Sequence, residues 1–322
     1  MKTNGSSKPK HETCLLIHPH EICDEWKEIF GSAKFDILGI HPVGGRAAGK
    51  HLETLLETVE TDDFRKFIDD IKALGGKIEY QIHAMSYLLP RGTFETHPEY
   101  FRVDETGERT PEYNLCPSSK EALEIVSENA RILAQKLYGS SEKYYFWTDD
   151  VRGSYCRCEK CKKFTPSDQA LIIYNAILRG IRKYRPEAKH CFLAYQDAIT
   201  PPQNVDADDG IFLEFAPIDR DSFLPLTDAK NAEATKPIKA LIGFFGTKDS
   251  RVLEYWIDNS RFCEWKMPYK KLPFMPDVIK KDAELYKSFG FEGLSSFACY
   301  LGKEYMDIFG RPPIKEFTEI LK

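Results

Sequence analysis

The residues best suited to chemistry sit near the middle of the chain. Tyr144-Tyr145-Phe146-Trp147-Thr148 reads as an apolar strand, and Asp149-Asp150 follow it directly. Two carboxylates in one enclosed site disfavour each other's ionisation, so one can keep its proton near neutral pH and act as a general acid. Cleavage of a glycosidic bond needs such a pair: one acid for the leaving oxygen, and one carboxylate for a water, a nucleophilic attack or a substrate amide. Taken alone, an Asp-Asp pair is a solvated turn or a helix cap. Its place after four aromatic residues is what turns it toward a catalytic reading. Glu214, within Phe212-Leu213-Glu214-Phe215, is a third candidate acid, as base, nucleophile or hydroxyl ligand. A carboxylate in an apolar run is costly to bury and needs a partner or a task.

Just beyond the paired acids comes Cys156-Arg157-Cys158-Glu159-Lys160-Cys161. Three thiolates at this spacing can wrap one tetrahedral zinc ion, with the fourth ligand from Cys116 or His97, or from a water, Asp or Glu. A structural zinc would staple the loop that carries the two aspartates. The alternatives are a redox pair at Cys158 and Cys161, or unligated thiols, and no thioredoxin-like βαβ context accompanies the CxxC spacing. GxxxxGK[ST], G-x-S-x-G and H-E-x-x-H are all absent, so no organic cofactor, P-loop or serine-hydrolase chemistry is expected.

What must position these groups is an alternation of short β-branched or aromatic runs with longer stretches of helical period. Eight strands are expected, at 14–17, 35–40, 77–83, 144–148, 190–195, 210–215, 251–256 and 293–299. Between them, apolar residues at spacings of three and four over 51–74 predict two helices ending at Gly75-Gly76. Ser119 opens another helix, Ser167-Asp168 cap a run to Tyr184, and 277–289 closes at Gly290. Only about fourteen residues with two prolines separate the fifth and sixth strands, too few for a normal helix and its loops. Eight strand–helix units predict an α/β fold of the (β/α)8 TIM-type barrel, as a single domain over 11–322 after a polar tail at 1–10. A doubly wound open sheet is the rival, but Ile17-His18-Pro19-His20 after the first strand is no phosphate cradle.

In a barrel, chemistry gathers at the carboxyl ends of the strands. There the sequence places His18, His20, His41, His83, Asp149, Asp150, Tyr195, Asp197, Asp258 and Tyr300. His18, His41, His83, Tyr195 and Asp197 are expected to line a sugar pocket, with Trp147 or Trp256 available for ring stacking. His18, His41, His83 and Glu214 could instead ligate a metal, as in a metal-dependent sugar isomerase or hydrolase. A non-catalytic carbohydrate-binding barrel is the third reading.

Composition narrows the partners. The 322 residues carry 45 Lys plus Arg against 50 Asp plus Glu, a net charge of -5. Without a basic run, neither nucleic acid nor an anionic membrane surface is an expected partner. The longest apolar stretches are about six residues, too short for a membrane span. Of nine cysteines, five (Cys14, Cys23, Cys191, Cys263, Cys299) lie in or beside apolar stretches and read as small hydrophobes in a reducing compartment. The first residues lack an apolar signal region, so a cytoplasmic location is expected, or a secreted or periplasmic one if a leader precedes them.

The phrases His97-Pro98-Glu99-Tyr100-Phe101, Asn114-Leu115-Cys116-Pro117-Ser118, Trp147-Thr148-Asp149-Asp150 with its three cysteines, Ser167-Asp168-Gln169, Leu193-Ala194-Tyr195 and Phe212 to Pro217 together resemble a bacterial family. It is the domain of unknown function 4838 family, grouped with barrel glycosidases, and the likeness runs over roughly residues 35–305. More distantly, the paired acids resemble those of the hexosaminidase and O-GlcNAcase families. That likeness implies that Asp149 orients a substrate acetamide while Asp150 protonates the leaving oxygen. The α-glucuronidase family is similar too, with carboxylates on separate strands, and would give Glu214 the larger part. These resemblances imply a glycoside hydrolase acting on a carbohydrate, with N-acetylhexosamine or uronic acid substrates.

Overall fold

The computed structural model describes residues 11–322. The expected polar tail, 1–10, lies outside the described residues. Eight parallel strands close into a barrel in sequence order. They are β1 (Glu12–Ile17), β2 (Ile37–Ile40), β3 (Lys77–His83), β4 (Lys143–Trp147), β5 (Lys189–Ala194), β6 (Ile211–Phe215), β7 (Arg251–Glu254) and β8 (Gly293–Phe297). Closure is made by β1 on β8, with Cys14 opposite Ser295 and Leu16 opposite Phe297, while Cys14 faces Ile37 of β2 on its other edge. Nearly every strand residue is buried. Strands covered on both faces must be apolar throughout, which is why the sequence shows runs rather than alternation.

The helices arise where the apolar spacing placed them. Residues 51–74 resolve into Ala48–Thr58 and Asp62–Ala73, the second capped by Thr61, whose hydroxyl accepts from the Phe64 N–H at 3.4 Å. Ser119 caps Lys120–Lys136 in the same way. One cap differs from expectation. The helix Pro166–Arg182 is capped by Thr165, and Asp168 sits three residues in, accepting the Thr165 N–H at 2.9 Å as the return half of a capping box. Helices 120–136 and 166–182 touch at Gly180, where an added Cβ would fall 1.8 Å from the Ser127 carbonyl oxygen, so only glycine permits the approach.

Between β5 and β6 the chain makes only the 3-10 turn Gln196–Ala198, in keeping with the short, proline-bearing connection. β2, β7 and β8 are shorter than the runs read from sequence. At β7 and β8 the residues of each run beyond the strand leave the ladder, and Tyr255 and Cys299 there line a cavity together with Phe297, the last residue of β8.

The barrel interior is unusually polar. Arg251 of β7 ion-pairs with Glu79 of β3 across it and donates to the Tyr145 hydroxyl of β4 at 2.7 Å; Arg251 and Glu79 are each 1% exposed. A second buried set lies outside β7. Arg220, after β6, donates to Glu254 at 2.9 Å and to Asp282 of the helix Pro276–Phe289 at 2.5 Å. Among the described residues, no helix is long and apolar enough to cross a membrane.

Candidate active site

At the carboxyl ends of the strands lies a cavity of about 370 Å³. Its walls include His18, His41, His83, Trp147, Asp150, Tyr195, Tyr255, Asp258, Trp265 and Phe297. Of the residues expected to line a sugar pocket, the three histidines, Trp147 and Tyr195 are therefore together.

The histidines share one construction. Each ring donates from Nδ1 to a backbone carbonyl on the next strand or just beyond its end: His18 to His41 O at 2.7 Å, His41 to Gln81 O at 2.8 Å, His83 to Thr148 O at 2.6 Å. A carbonyl can only accept, so a proton sits on each Nδ1, and on a neutral ring Nε2 is then the acceptor. Burial pulls His18 down to about 4, and it pulls His41 well below the usual imidazole range. The two rings are neutral at ordinary pH. The trio is not among the clusters, in the described residues, whose ligand atoms all lie within 4.8 Å of one another. His18 instead falls in such a cluster with Glu21 and Cys299.

Asp150 reaches the cavity from the loop after β4. Its Oδ1 accepts from the Tyr195 hydroxyl at 2.9 Å and from Gln196 Nε2 at 3.2 Å. Gly44, in the β2 loop, passes so close that a Cβ there would lie 3.1 Å from Asp150 Oδ2 and 3.2 Å from the His83 ring. Asp149 does not accompany its neighbour. It accepts from Arg91 at 2.7 Å and lines an adjoining groove with Arg91, Tyr87 and Tyr113, while its N–H donates to Asn114 Oδ1 at 2.9 Å. Adjacent side chains along a strand exit diverge, so the two acids serve different spaces.

Glu214 is absent from the cavity wall. It is fully buried within the barrel and accepts from Trp147 Nε1 at 3.0 Å. Burial raises it to about 8, so it is mainly protonated at neutral pH. Its task is to hold the indole that floors the cavity between His41 and His83, whose ring centroids lie 5.6 and 5.1 Å away. The expectation that Asp149, Asp150 and Glu214 converge on one cleft is corrected on both counts. Trp256 is likewise not available for stacking: it is 1% exposed, packs on Phe317 and Tyr286, and donates Nε1 to Asp282. Asp197 accepts from the Gly153 N–H at 2.6 Å and lines a small crevice beside the loop instead of the main cavity.

Three contributors had no assigned role in the sequence. Asp258, at the exit of β7, is the second carboxylate of the cavity, and burial raises it to about 6. Its Oδ1 also caps the short helix Asn259–Phe262 by accepting from Ser260 N and Oγ. Position after a strand-like run was the available signal, the same one that picked out Asp150. Tyr255 and Trp265 complete the wall, the latter 62% exposed at the rim and held with positive φ, 54°. Nothing local in Glu264-Trp265-Lys266 marks that tryptophan.

Cys116, Cys156, Cys158 and Cys161 meet in one cluster, all four sulfurs within 4.8 Å of one another. Cys116 Sγ lies 3.7 Å from those of Cys158 and Cys161. Of the two named candidates for a fourth ligand, Cys116 is the one present; His97 instead contacts Glu99 and stacks on Tyr100. Asn114, two residues before Cys116, ties this cluster to the Asp149 backbone and to Ser154, whose hydroxyl accepts from it at 2.9 Å. None of the nine cysteines is in a disulfide.

A closed eightfold barrel with a cavity at its carboxyl face defines the protein as a TIM-type α/β barrel. The sequence matches the family model described as domain of unknown function (DUF4838) over residues 57–296, and the chain belongs to that family. No protein of the curated set matches it. Similar solved structures include a glycoside hydrolase family 5 enzyme, PbGH5A, from Prevotella bryantii B14, crystallised with a xyloglucan tetradecasaccharide. It is 12% identical with a TM-score of 0.54, covering 94% of this chain and 86% of that one. A GH20 catalytic module of the pneumococcal exo-β-D-N-acetylglucosaminidase StrH is 10% identical with a TM-score of 0.50, over 97% and 82%. A β-galactosidase from the haloarchaeon Halorubrum lacusprofundi is 10% identical with a TM-score of 0.53, over 96% of this chain and 57% of that one. At these identities the likeness is one of fold.

Proposed function

We propose that the protein is a glycoside hydrolase whose two working carboxylates are Asp150 and Asp258. The observation that carries this reading is their placement: one follows β4, the other β7, and both line the same 370 Å³ cavity. Glycosidic cleavage uses one carboxyl to protonate the leaving oxygen and a second to attack the anomeric carbon or activate water. The pKa of about 6 supports Asp258 as the proton-holding partner, its burial disfavouring the charged form. Asp150, with Oδ1 fixed by Tyr195 and Gln196 and Oδ2 beside Gly44, is held in one orientation, as a base or nucleophile must be. Trp147 and Trp265 supply apolar faces for a pyranose ring. The remainder of the substrate would extend into the neighbouring groove, which shares Gly45 with the cavity. There the Arg91–Asp149 pair gives Asp149 a positioning role.

The test is turnover of a panel of aryl glycosides. Asp150→Asn and Asp258→Asn should each lower kcat by about 10²–10⁴-fold, the usual contribution of general acid–base catalysis. Melting temperatures should hold, since Asn still caps the helix after Asp258. The acid form of Asp258 prevails below about pH 6, so kcat should fall as pH rises through that value, and the limb should vanish in Asp258→Asn. Full activity in either variant overturns the assignment.

The four-cysteine cluster fits a structural zinc ion, which we place there. Zinc–sulfur bonds of about 2.3 Å around a tetrahedron require sulfurs about 3.8 Å apart, close to the 3.7 Å separations from Cys116. Bound there, the ion would cross-link residues on either side of the Asp149-Asp150 loop.

A further inference from the structure

The chemistry of the cavity wall narrows the substrate class, an inference that rests on the glycosidase reading and deepens it. Every charged side chain in the wall is acidic: Asp150 and Asp258, with no Lys or Arg among the lining residues. Of the cations outside the wall, Arg91 pairs with Asp149 in the adjoining groove and Arg152 with Asp219, while Arg261 stacks on the Tyr255 ring at 5.0 Å, donates to the Arg220 carbonyl and keeps Nη1 without a hydrogen-bond partner among the described residues.

Against this, the wall is rich in acceptors. His18, His41 and His83 come from three consecutive strand ends, and all three are anchored through Nδ1 to backbone carbonyls. Each ring, when neutral, therefore has an Nε2 lone pair with no hydrogen-bond partner among the described residues. Their neighbouring ring centroids are 5.7 and 6.1 Å apart. Acceptors so spaced suit separate donors along one edge of a ligand. A sugar carboxylate placed here would find acceptors and like charges but no counter-ion among the lining residues, and burying an unpaired charge is strongly unfavourable.

We propose that this cavity binds an uncharged sugar ring, whose hydroxyls donate to the Nε2 atoms of His18, His41 and His83, and that it rejects uronic acids.

Binding tests this independently of turnover. Because Trp147 and Trp265 line the cavity, intrinsic tryptophan fluorescence can follow titration with glucose, galactose, mannose and N-acetylglucosamine. Glucuronate and galacturonate are titrated alongside, all at pH 7. At least one neutral sugar should bind, with the uronates at least tenfold weaker. Equal or tighter uronate binding, or no neutral sugar binding up to ~100 mM (a standard free energy weaker than that of a 1 mM complex), overturns the proposal.

His83→Asn and His83→Gln separate recognition from architecture. Asn can keep the donation to the Thr148 carbonyl but removes the Nε2 acceptor, whereas Gln can place an acceptor near Nε2. Neutral-sugar affinity should fall about tenfold in the Asn variant, about 1.4 kcal/mol, and recover in part in the Gln variant. Wild-type affinity in both variants would overturn the role given to His83. Sugar binding without cleavage of any glycoside would sink the hydrolase reading and leave this one standing; cleavage that prefers uronides would do the reverse.

Discussion

Single side chains here owe their roles to what they touch. Gly44 has no side chain, and that is its contribution: it lets the β2 loop pass beside Asp150 and His83. A methyl group at 3.1 and 3.2 Å from them must push one or both by a few tenths of an ångström. Gly44→Ala should lower kcat/KM by about tenfold, since misplacement of catalytic groups is costly well below 1 Å, with little change in melting temperature. An unchanged rate would mean that the loop moves in place of the carboxylate. Glu214 offers a pH test. Its folded pKa of about 8 lies above the unfolded value of about 4.5, so the native state holds a proton that the unfolded chain has released in between. This acid therefore makes stability decline as pH rises from about 4.5 to 8, with the full contribution present below that window. Glu214→Gln should flatten the fall in melting temperature between pH 5 and 8 relative to wild type; parallel curves would place the proton elsewhere. The sequence reading was right that a carboxylate among Phe212, Leu213 and Phe215 needs a partner, but the partner, Trp147, is 67 residues away. The catalytic role expected for Glu214 finds no place in the cavity wall, from which this acid is absent.

Among the elements, the segment from β3 to the start of the helix Pro166–Arg182 does the most. It leaves the barrel, brings Leu115 back opposite Phe101 and Arg109 opposite Val103, and delivers Cys116 to the three cysteines beyond β4. Asn114 carries that arrangement to the Asp149 backbone. Atomic absorption should find one zinc per chain in protein purified without chelator, and Cys116→Ser should lose most of it. Because the cluster supports the loop, the same variant should lower the melting temperature and turnover together. Full occupancy in Cys116→Ser, or no zinc in the wild type, would count against the site. The C-x-C-x-x-C spacing was legible along the chain. The fourth thiol was only one of several options there, because its approach depends on how the excursion after β3 folds back.

For the molecule as a whole, buried ion pairs tie the helical layer to the barrel. Arg220 holds Glu254 of β7 and Asp282 of the helix Pro276–Phe289 where all three are at most 2% exposed. Arg220→Met would leave two carboxylates buried without their cation, a change that costs about 3–5 kcal/mol. Chemical denaturation should read that loss as a lower midpoint with unchanged slope; a loss under about 1 kcal/mol would mean that the acids simply take up protons. No run or spacing in the sequence pointed to this network, because its members stand on β7, on a loop after β6 and on a later helix.

Local physics made the elements readable. Strands buried on both faces must be continuously apolar, helices that cover them must repeat at three and four, and glycines, prolines and hydroxyl caps must end them. That was sufficient to predict eight strands, with helices between most of them, closing as a (β/α)8-type barrel. Which side chains share a space was a different matter. Asp149 and Asp150 are neighbours in the chain and part company, while Asp150 and Asp258 belong to distant strands and face one cavity. Barrel closure sets those distances by pairing β1 with β8 and curling the strand exits over the mouth, and no local pattern of residue types encodes the result.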